Sequence, residues 1–117
     1  MRPSGGSLVA TLAALAGALA VGAGAFGAHG ATGRAAELLR TGSHYQLIHA
    51  VAALVALGRP RGAAAAWLFV AGGALFGGSL YLLAFGAPRM MGVVTPLGGL
   101  ALIAGWLWLA LGAIRGR

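Results

Sequence analysis

The stretch TGSHYQLIHAVAALVAL, residues 41–57, decides how many times this chain can cross a membrane. Its apolar part is the shortest of four apolar segments in the chain, and it follows the polar residues Ser43 and His44. A helix from His44 to Leu57 would be about 21 Å long, whereas the hydrocarbon core of a bilayer is about 30 Å thick. The segment therefore needs additional structure at one end if it is to span.

The composition of the chain indicates a membrane environment. Of its 117 residues, 60% are hydrophobic and only 8% are charged, whereas a typical soluble protein has about 25% charged residues. The net charge of +7 does not indicate a nucleic-acid partner, because the arginines lie at the ends of the apolar segments. We expect membrane lipids as partners and no nucleic acid. The absence of cysteine excludes disulfides and thiolate metal sites.

We therefore predict an all-α membrane protein, a four-helix transmembrane bundle that forms a single domain over residues 1–117. A helix needs roughly 20 apolar residues to cross the bilayer, and the first, third and fourth segments meet this length. The predicted spans are about 8–28, 43–58, 63–86 and 95–114.

The second span is predicted to begin with a capping box. The Ser43 hydroxyl can accept from the Gln46 backbone N–H, and the Gln46 side chain can reach back to Ser43. Because the resulting helix is short, we predict a separate short interfacial helix over residues 34–41 that covers its outer end. The charged residues of that helix recur every three positions and share one face: Arg34, Glu37 and Arg40.

The fourth span is predicted to begin at Pro96. Thr95 suits an N-cap, and proline is favoured at the first helical position, where its missing N–H costs nothing. Val93 and Val94 would then enter the bilayer in a non-helical conformation shielded by protein.

The arginines predict the orientation of the four spans. One side carries Arg2, Arg59, Arg61, Arg115 and Arg117, and the other carries Arg34, Arg40 and Arg89 together with the single acid, Glu37. The positive-inside rule places both termini in the cytoplasm. A cleaved signal peptide is the alternative for the first segment, but its apolar run is longer than the usual h-region.

Small residues at a spacing of four predict the faces through which the helices pack, because lipid offers no hydrophobic driving force for association. They are Ala16, Ala20 and Gly24 on the first helix, Gly73 and Gly77 on the third, and Ala101 and Gly105 on the fourth.

Nearly all polar residues are predicted to fall near the non-cytoplasmic face, where they would form one cluster. The candidates for it are His29, Tyr45, Gln46, His49, Ser79, Tyr81 and Thr95. For His49 three interpretations stay open: a hydrogen-bonded packing residue, a ligand-binding or proton-relay residue, and a metal or haem ligand. For His29 the alternative is the last turn of a helix that Gly30 ends in a left-handed conformation. The tryptophans are predicted to be packing residues or interface anchors.

Four motifs carry a resemblance to a known family. They are GAFGAHG in the first segment, YQLIHA in the second, GSLYLLA in the third and TPLGGLALIAGW in the fourth. In this order they resemble the domain of unknown function 423 family, also called uncharacterised protein family 0382, which is related to transmembrane protein 256 of eukaryotes. The resemblance implies a small four-span protein of the bacterial inner membrane, with unassigned activity, and groups His29 with Tyr45, Gln46 and His49.

Three classes of function stay open. The first is a structural or accessory membrane subunit that oligomerises or joins a larger complex through its small-residue faces. The second is a small transporter or channel that uses the polar cluster, and the third is a lipid-, quinone- or haem-binding protein. We expect no enzyme, no catalytic residues and no resident cofactor or metal, because no nucleophile stands at a defined spacing from a base and no carboxylates are paired.

Overall fold

The computed structural model describes residues 5–116 and contains four α-helices and no strand among them. The helices are α1 (Gly5–His29), α2 (Gly33–Ala56), α3 (Gly62–Ala84) and α4 (Val94–Ile114). A short 3₁₀ helix, Arg89–Val93, precedes α4. Three helical segments are long and apolar enough to cross a membrane, namely α1, α3 and the stretch Arg89–Ile114. The prediction of an all-α membrane protein is confirmed to this extent.

The separate interfacial helix is absent, and α2 does not begin at Ser43. A single helix of 24 residues runs through residues 34–41 and onward, so α2 is about 36 Å long. Ser43 lies inside it and donates its hydroxyl to the carbonyl of Arg40 at 3.1 Å instead of capping an N-terminus. Gly42 does not break the helix because it packs against α3, where a Cβ would stand 2.7 Å from the Tyr81 ring.

Two helix ends also differ from their predictions. Val93 ends the 3₁₀ helix and Val94 begins α4, so neither is non-helical. Pro96 lies in the first turn of α4, where its missing N–H has no intrahelical partner to lose. At the same end of the bundle α1 does finish at His29, but the glycine with a left-handed conformation there is Gly33 rather than Gly30.

The helices are arranged in chain order, with α2 and α3 in the middle. α1 packs mainly on α2, and α4 packs mainly on α3. The molecule measures 46 × 31 × 21 Å, and its thinnest dimension is about two helix diameters. Its apolar core is built mostly from alanine around Phe69, with Val9 from α1 and Leu102 from α4.

A close helix crossing joins α3 and α4 through glycine. A Cβ added to Gly98 would collide with the Phe76 backbone nitrogen and stand 2.9 Å from the Gly72 carbonyl. A Cβ on Gly72 would in turn stand 3.0 Å from the Ala101 methyl group. Backbones can approach this closely in a membrane only where side chains are absent or minimal.

Most predicted packing positions lie at such contacts. Gly24 faces Ser43 of α2, Gly77 faces the Gly42 carbonyl, and Gly105 faces the Phe69 ring. Ala20 is buried and Gly73 lies beside Gln46 more loosely. Ala16 is only half-buried, because the buried residues of α1 recur at spacings of four and seven and bypass it: Val9, Ala13, Ala20 and Gly27.

We predict that Gly98→Ala lowers the free energy of unfolding by about 1–3 kcal/mol, because the added methyl group must push α3 and α4 apart. Gly99→Ala is the matched control, since its Cβ would meet the Phe76 ring at 3.8 Å, an ordinary contact. Thermal unfolding of the purified variants in one detergent measures the difference. Equal midpoints for the two variants would contradict the glycine crossing.

Candidate functional site

Side-chain hydrogen bonds between helices link the predicted polar residues in separate pairs. The buried polar side chains of the described chain are Gln46, His49 and Ser79. Each forms a hydrogen bond with a residue of another helix. No buried side-chain nitrogen or oxygen in the described part lacks a partner. This is the arrangement expected in lipid, where water cannot satisfy polar groups.

The first pair joins α3 to α4 near the end of α3. The Ser79 and Thr95 hydroxyl oxygens are 2.5 Å apart, and Ser79 also donates to the carbonyl of Phe76 at 2.9 Å. Because Ser79 has one hydroxyl proton, Thr95 is the donor between the two. Thr95 therefore ties α4 to α3 and does not act as an N-cap.

The second pair joins α3 to α2. The Tyr81 hydroxyl donates to Gln46 Oε1 at 2.7 Å, and both side chains are buried. Gly42 and Gly77 make room for this pair, since a Cβ on Gly77 would stand 3.3 Å from Gln46 Cβ and 3.4 Å from the Tyr81 oxygen. The predicted role of Gln46 as a capping residue is wrong, because it lies inside α2 and bonds to another helix.

The third pair joins α2 to α4 and assigns the tautomer of a buried histidine. Trp106 Nε1 donates to His49 Nε2 at 3.0 Å, and His49 Nδ1 lies 2.6 Å from the carbonyl of Tyr45. Since the indole nitrogen is only a donor, His49 Nε2 must accept and Nδ1 must carry the proton. The His49 imidazole is therefore neutral, and His49 is only 6% exposed.

The His49–Trp106 pair lies deeper in the bundle than the Ser79–Thr95 and Tyr81–Gln46 pairs. Ser79 and Tyr81 are within five residues of the end of α3, whereas His49 Cβ lies level with Gly73, the middle residue of that helix. The predicted outer position of His49 was derived from a helix that begins near Ser43. Because α2 begins at Gly33, His49 lies near mid-depth.

His29 does not join these residues. Its side chain is exposed at the last turn of α1 and makes no hydrogen bond to any other residue between 5 and 116. Near this end, α1 contacts α3 through apolar rings, with Phe26 and Phe85 centroids 5.6 Å apart. Gly30 is required there for space, because a Cβ would stand 2.6 Å from the Phe26 ring.

Tyr45 lies on the surface of α2 beside an open groove. Its ring is 44% exposed, packs on Phe76 with centroids 4.8 Å apart, and is parallel to the His49 ring within 8°. Its hydroxyl makes no hydrogen bond within the described residues. Among residues 5–116, the Tyr45 hydroxyl thus has no hydrogen bond, whereas every other member of the predicted cluster inside the bundle has at least one.

The α2–α4 groove exists because these two helices are bridged by side chains and not by backbone contact. Its volume is about 400 Å³ and α3 forms its floor. Within residues 5–116 no group of three or more His, Cys, Asp or Glu side chains could hold a metal ion. The groove is lined by Tyr45 and His49 of α2, Phe76 of α3, and Gly99, Leu102, Ile103 and Trp106 of α4.

Sequence reasoning missed Trp106 as a partner of His49. The tryptophans are predicted to be packing residues or interface anchors, and Trp106 packs against His49 and Phe69. It lies eight residues before the end of α4, which is about 12 Å along the helix. A buried or lipid-exposed indole N–H at that depth needs an acceptor. The distance of Trp106 from the end of the fourth apolar segment is the sequence feature that indicates a partner for its indole N–H.

Comparison with known proteins assigns the family. A model described as "Protein of unknown function (DUF423)" matches residues 23–99, which include the α2 and α3 members of all three pairs and Thr95. The chain belongs to the DUF423 family. The resemblance of the four motifs is therefore confirmed.

Relatives of similar length support this assignment. The UPF0382 inner membrane protein YgdD of Escherichia coli (strain K12) is 42% identical over 113 residues, which cover 88% of this chain and 86% of the relative. The UPF0382 membrane protein YwdK of Bacillus subtilis (strain 168) is 37% identical over 115 residues, covering 89% and 94%. No solved structure is significantly similar to this chain. The relatives' names specify membrane proteins and no biochemical activity, so this DUF423 protein is an integral membrane protein of unassigned activity.

We predict that His49 and Trp106 are energetically coupled. In a double-mutant cycle of His49→Phe and Trp106→Phe, the coupling energy should be about 0.6 kcal/mol and at most about 1.7 kcal/mol, the values found for hydrogen bonds between membrane helices. Reversible unfolding in mixed micelles measures it.

The control cycle pairs His49→Phe with Trp108→Phe. Trp108 donates to the carbonyl of Arg61 at 2.9 Å and not to His49, so its coupling should vanish within about 0.5 kcal/mol. Equal coupling in both cycles would contradict a specific His49–Trp106 bond.

Proposed function

We propose that this DUF423 protein is a four-span structural or accessory subunit of the bacterial inner membrane, and not an enzyme. One observation carries the proposal: the buried polar side chains are used to hold helices together. Gln46, His49 and Ser79 each bond to a neighbouring helix. Such groups stabilise one helix arrangement in lipid, which suits a protein whose role is to present fixed helix faces.

The proposal adds α2 to the three candidate spans, which gives four spans in total. Its charged residues fall in its first eight positions, and residues 41–58 carry no Lys, Arg, Asp or Glu. The helical part of this stretch, residues 41–56, is about 24 Å long, which is most of the thickness of a hydrocarbon core of about 30 Å. α2 also packs along both α1 and α3, each of which is apolar enough to span.

We propose that both termini are cytoplasmic, which follows from four spans and the excess of arginine on the side that carries Arg59, Arg61 and Arg115. The E. coli relative is named an inner membrane protein, which supports the same membrane for this chain.

The proposed assembly surface is the α1–α3 groove, whose volume is about 450 Å³. Gly22 of α1 lines it, and a Cβ there would meet nothing within 4 Å. A groove with a small residue on its wall can admit a helix from another copy or from a larger partner. It is lined by Ala18, Leu19, Gly22, Ala23, Phe26, Leu39, Tyr81 and Phe85.

Single-cysteine labelling tests the topology directly, because the chain has no native cysteine. A membrane-impermeant maleimide should label Thr32→Cys and Met90→Cys in intact spheroplasts, and label Gly58→Cys and Ile114→Cys only after permeabilisation. Labelling of Thr32→Cys and Gly58→Cys from the same side would show that α2 does not cross. Labelling of Ile114→Cys from outside would reverse the orientation.

Native mass spectrometry tests the accessory role. We expect protein extracted with its lipids to appear at multiples of 11.5 kDa or bound to a defined larger subunit. Gly22→Leu should abolish that assembly by filling the groove, whereas Gly78→Leu, which also enters open space, should retain it. A monomer in every lipid composition would contradict the proposal.

A further inference from the structure

The α2–α4 groove combines features that the accessory role does not use. Its walls are the rings of Tyr45, Phe76 and Trp106, and its inner surface includes the edge of His49. Its volume of about 400 Å³ lies within the usual range for small-molecule sites, about 300–1,000 Å³. It opens between two helices toward the lipid, since Tyr45, Ile103 and Trp106 are all exposed.

Tyr45 lines this groove, and its hydroxyl has no hydrogen-bond partner among residues 5–116. The Tyr45 ring packs on Phe76, which is three residues from the middle of α3 and thus about 4.5 Å from it. At this level the surrounding solvent is hydrocarbon, where a hydroxyl without a hydrogen bond is costly. The other polar groups around the groove are occupied, because Trp106 donates to His49 and His49 bonds to the carbonyl of Tyr45.

The depth of the hydroxyl restricts the chemistry of its partner. The ester carbonyls of phospholipids remain at the interface, about 15 Å from the midplane of a 30 Å core. A partner inside the hydrocarbon core must be uncharged, soluble in hydrocarbon and equipped with a hydrogen-bond acceptor. Flat aromatic walls favour a flat ring.

We propose that the α2–α4 groove binds a membrane quinone. The Tyr45 hydroxyl donates to one quinone carbonyl, the ring packs against Tyr45 and Trp106, and the apolar tail leaves the groove along the exposed Ile103 side chain. His49 keeps its bond to Trp106 and thereby holds the indole in position as a wall. The site is independent of the proposed assembly surface, because the α1–α3 groove shares none of its lining residues.

Quenching of Trp106 fluorescence by a short-chain ubiquinone analogue tests this proposal in nanodiscs. Trp67→Phe and Trp108→Phe are introduced first, so that Trp106 is the sole tryptophan. We expect saturable quenching, and Tyr45→Phe should raise Kd by about 3- to 10-fold through loss of one hydrogen bond. The unfolding midpoint should not change, because the hydroxyl has no partner within the described residues.

A filled groove provides the second variant. Gly99→Leu should abolish saturable quenching, since a Cβ at Gly99 points toward the Phe76 ring and a longer side chain enters the groove. Gly78→Leu is the matched control on α3 and should bind as the parent protein does. If Gly99→Leu does not fold, the comparison of Tyr45→Phe with the parent still decides.

Three results would overturn the proposal. Quenching that rises linearly with quinone concentration would indicate partitioning into lipid only. An unchanged Kd in Tyr45→Phe would remove the proposed hydrogen bond. Displacement of the quinone analogue by added phosphatidylglycerol, at matched bilayer mole fraction, would assign the groove to a phospholipid. None of these results depends on whether the protein forms oligomers.

Discussion

The structure depends on how helices attract one another in a solvent as apolar as their own side chains. Burial from water gives no advantage inside a bilayer, so packing contacts and hydrogen bonds must hold the bundle together. The chain meets this constraint with two devices. Glycines bring backbones into contact at Gly72 and Gly98, and polar side chains bridge α2 to α3 and α2 to α4.

The two devices produce two kinds of helix interface. Where glycine dominates, as at the α3–α4 crossing, the backbones come into close contact. Where a pair of rings bridges the gap, as between His49 and Trp106, the helices stay apart and an open groove results. The close α3–α4 crossing and the open α2–α4 groove therefore both follow from the absence of a hydrophobic driving force between helices in lipid.

Much of the fold was predictable because length and composition determine where apolar helices occur in a membrane protein. The ends of α1, α3 and α4 lie within a few residues of their predicted bounds. The start of α2 was not predictable, because Gly42 and Ser43 are local stop and cap signals. Gly42 instead packs against α3, and Ser43 donates to the Arg40 carbonyl within the helix. Because depth along a helix is counted from its end, the predicted start of α2 near Ser43 also placed His49 too near the membrane surface. Its pairing with Trp106 was therefore not expected.

The order of the helices in space has a consequence for how the protein is made. Each helix packs mainly on its neighbour in the chain, so most tertiary contacts join segments that are synthesised one after the other. Such low contact order favours rapid assembly, because little loop entropy is lost before contacts form. The α1–α2 hairpin can dock while α4 is still in the ribosome. Gln46 gains its partner only when α3 follows, and His49 only when α4 follows.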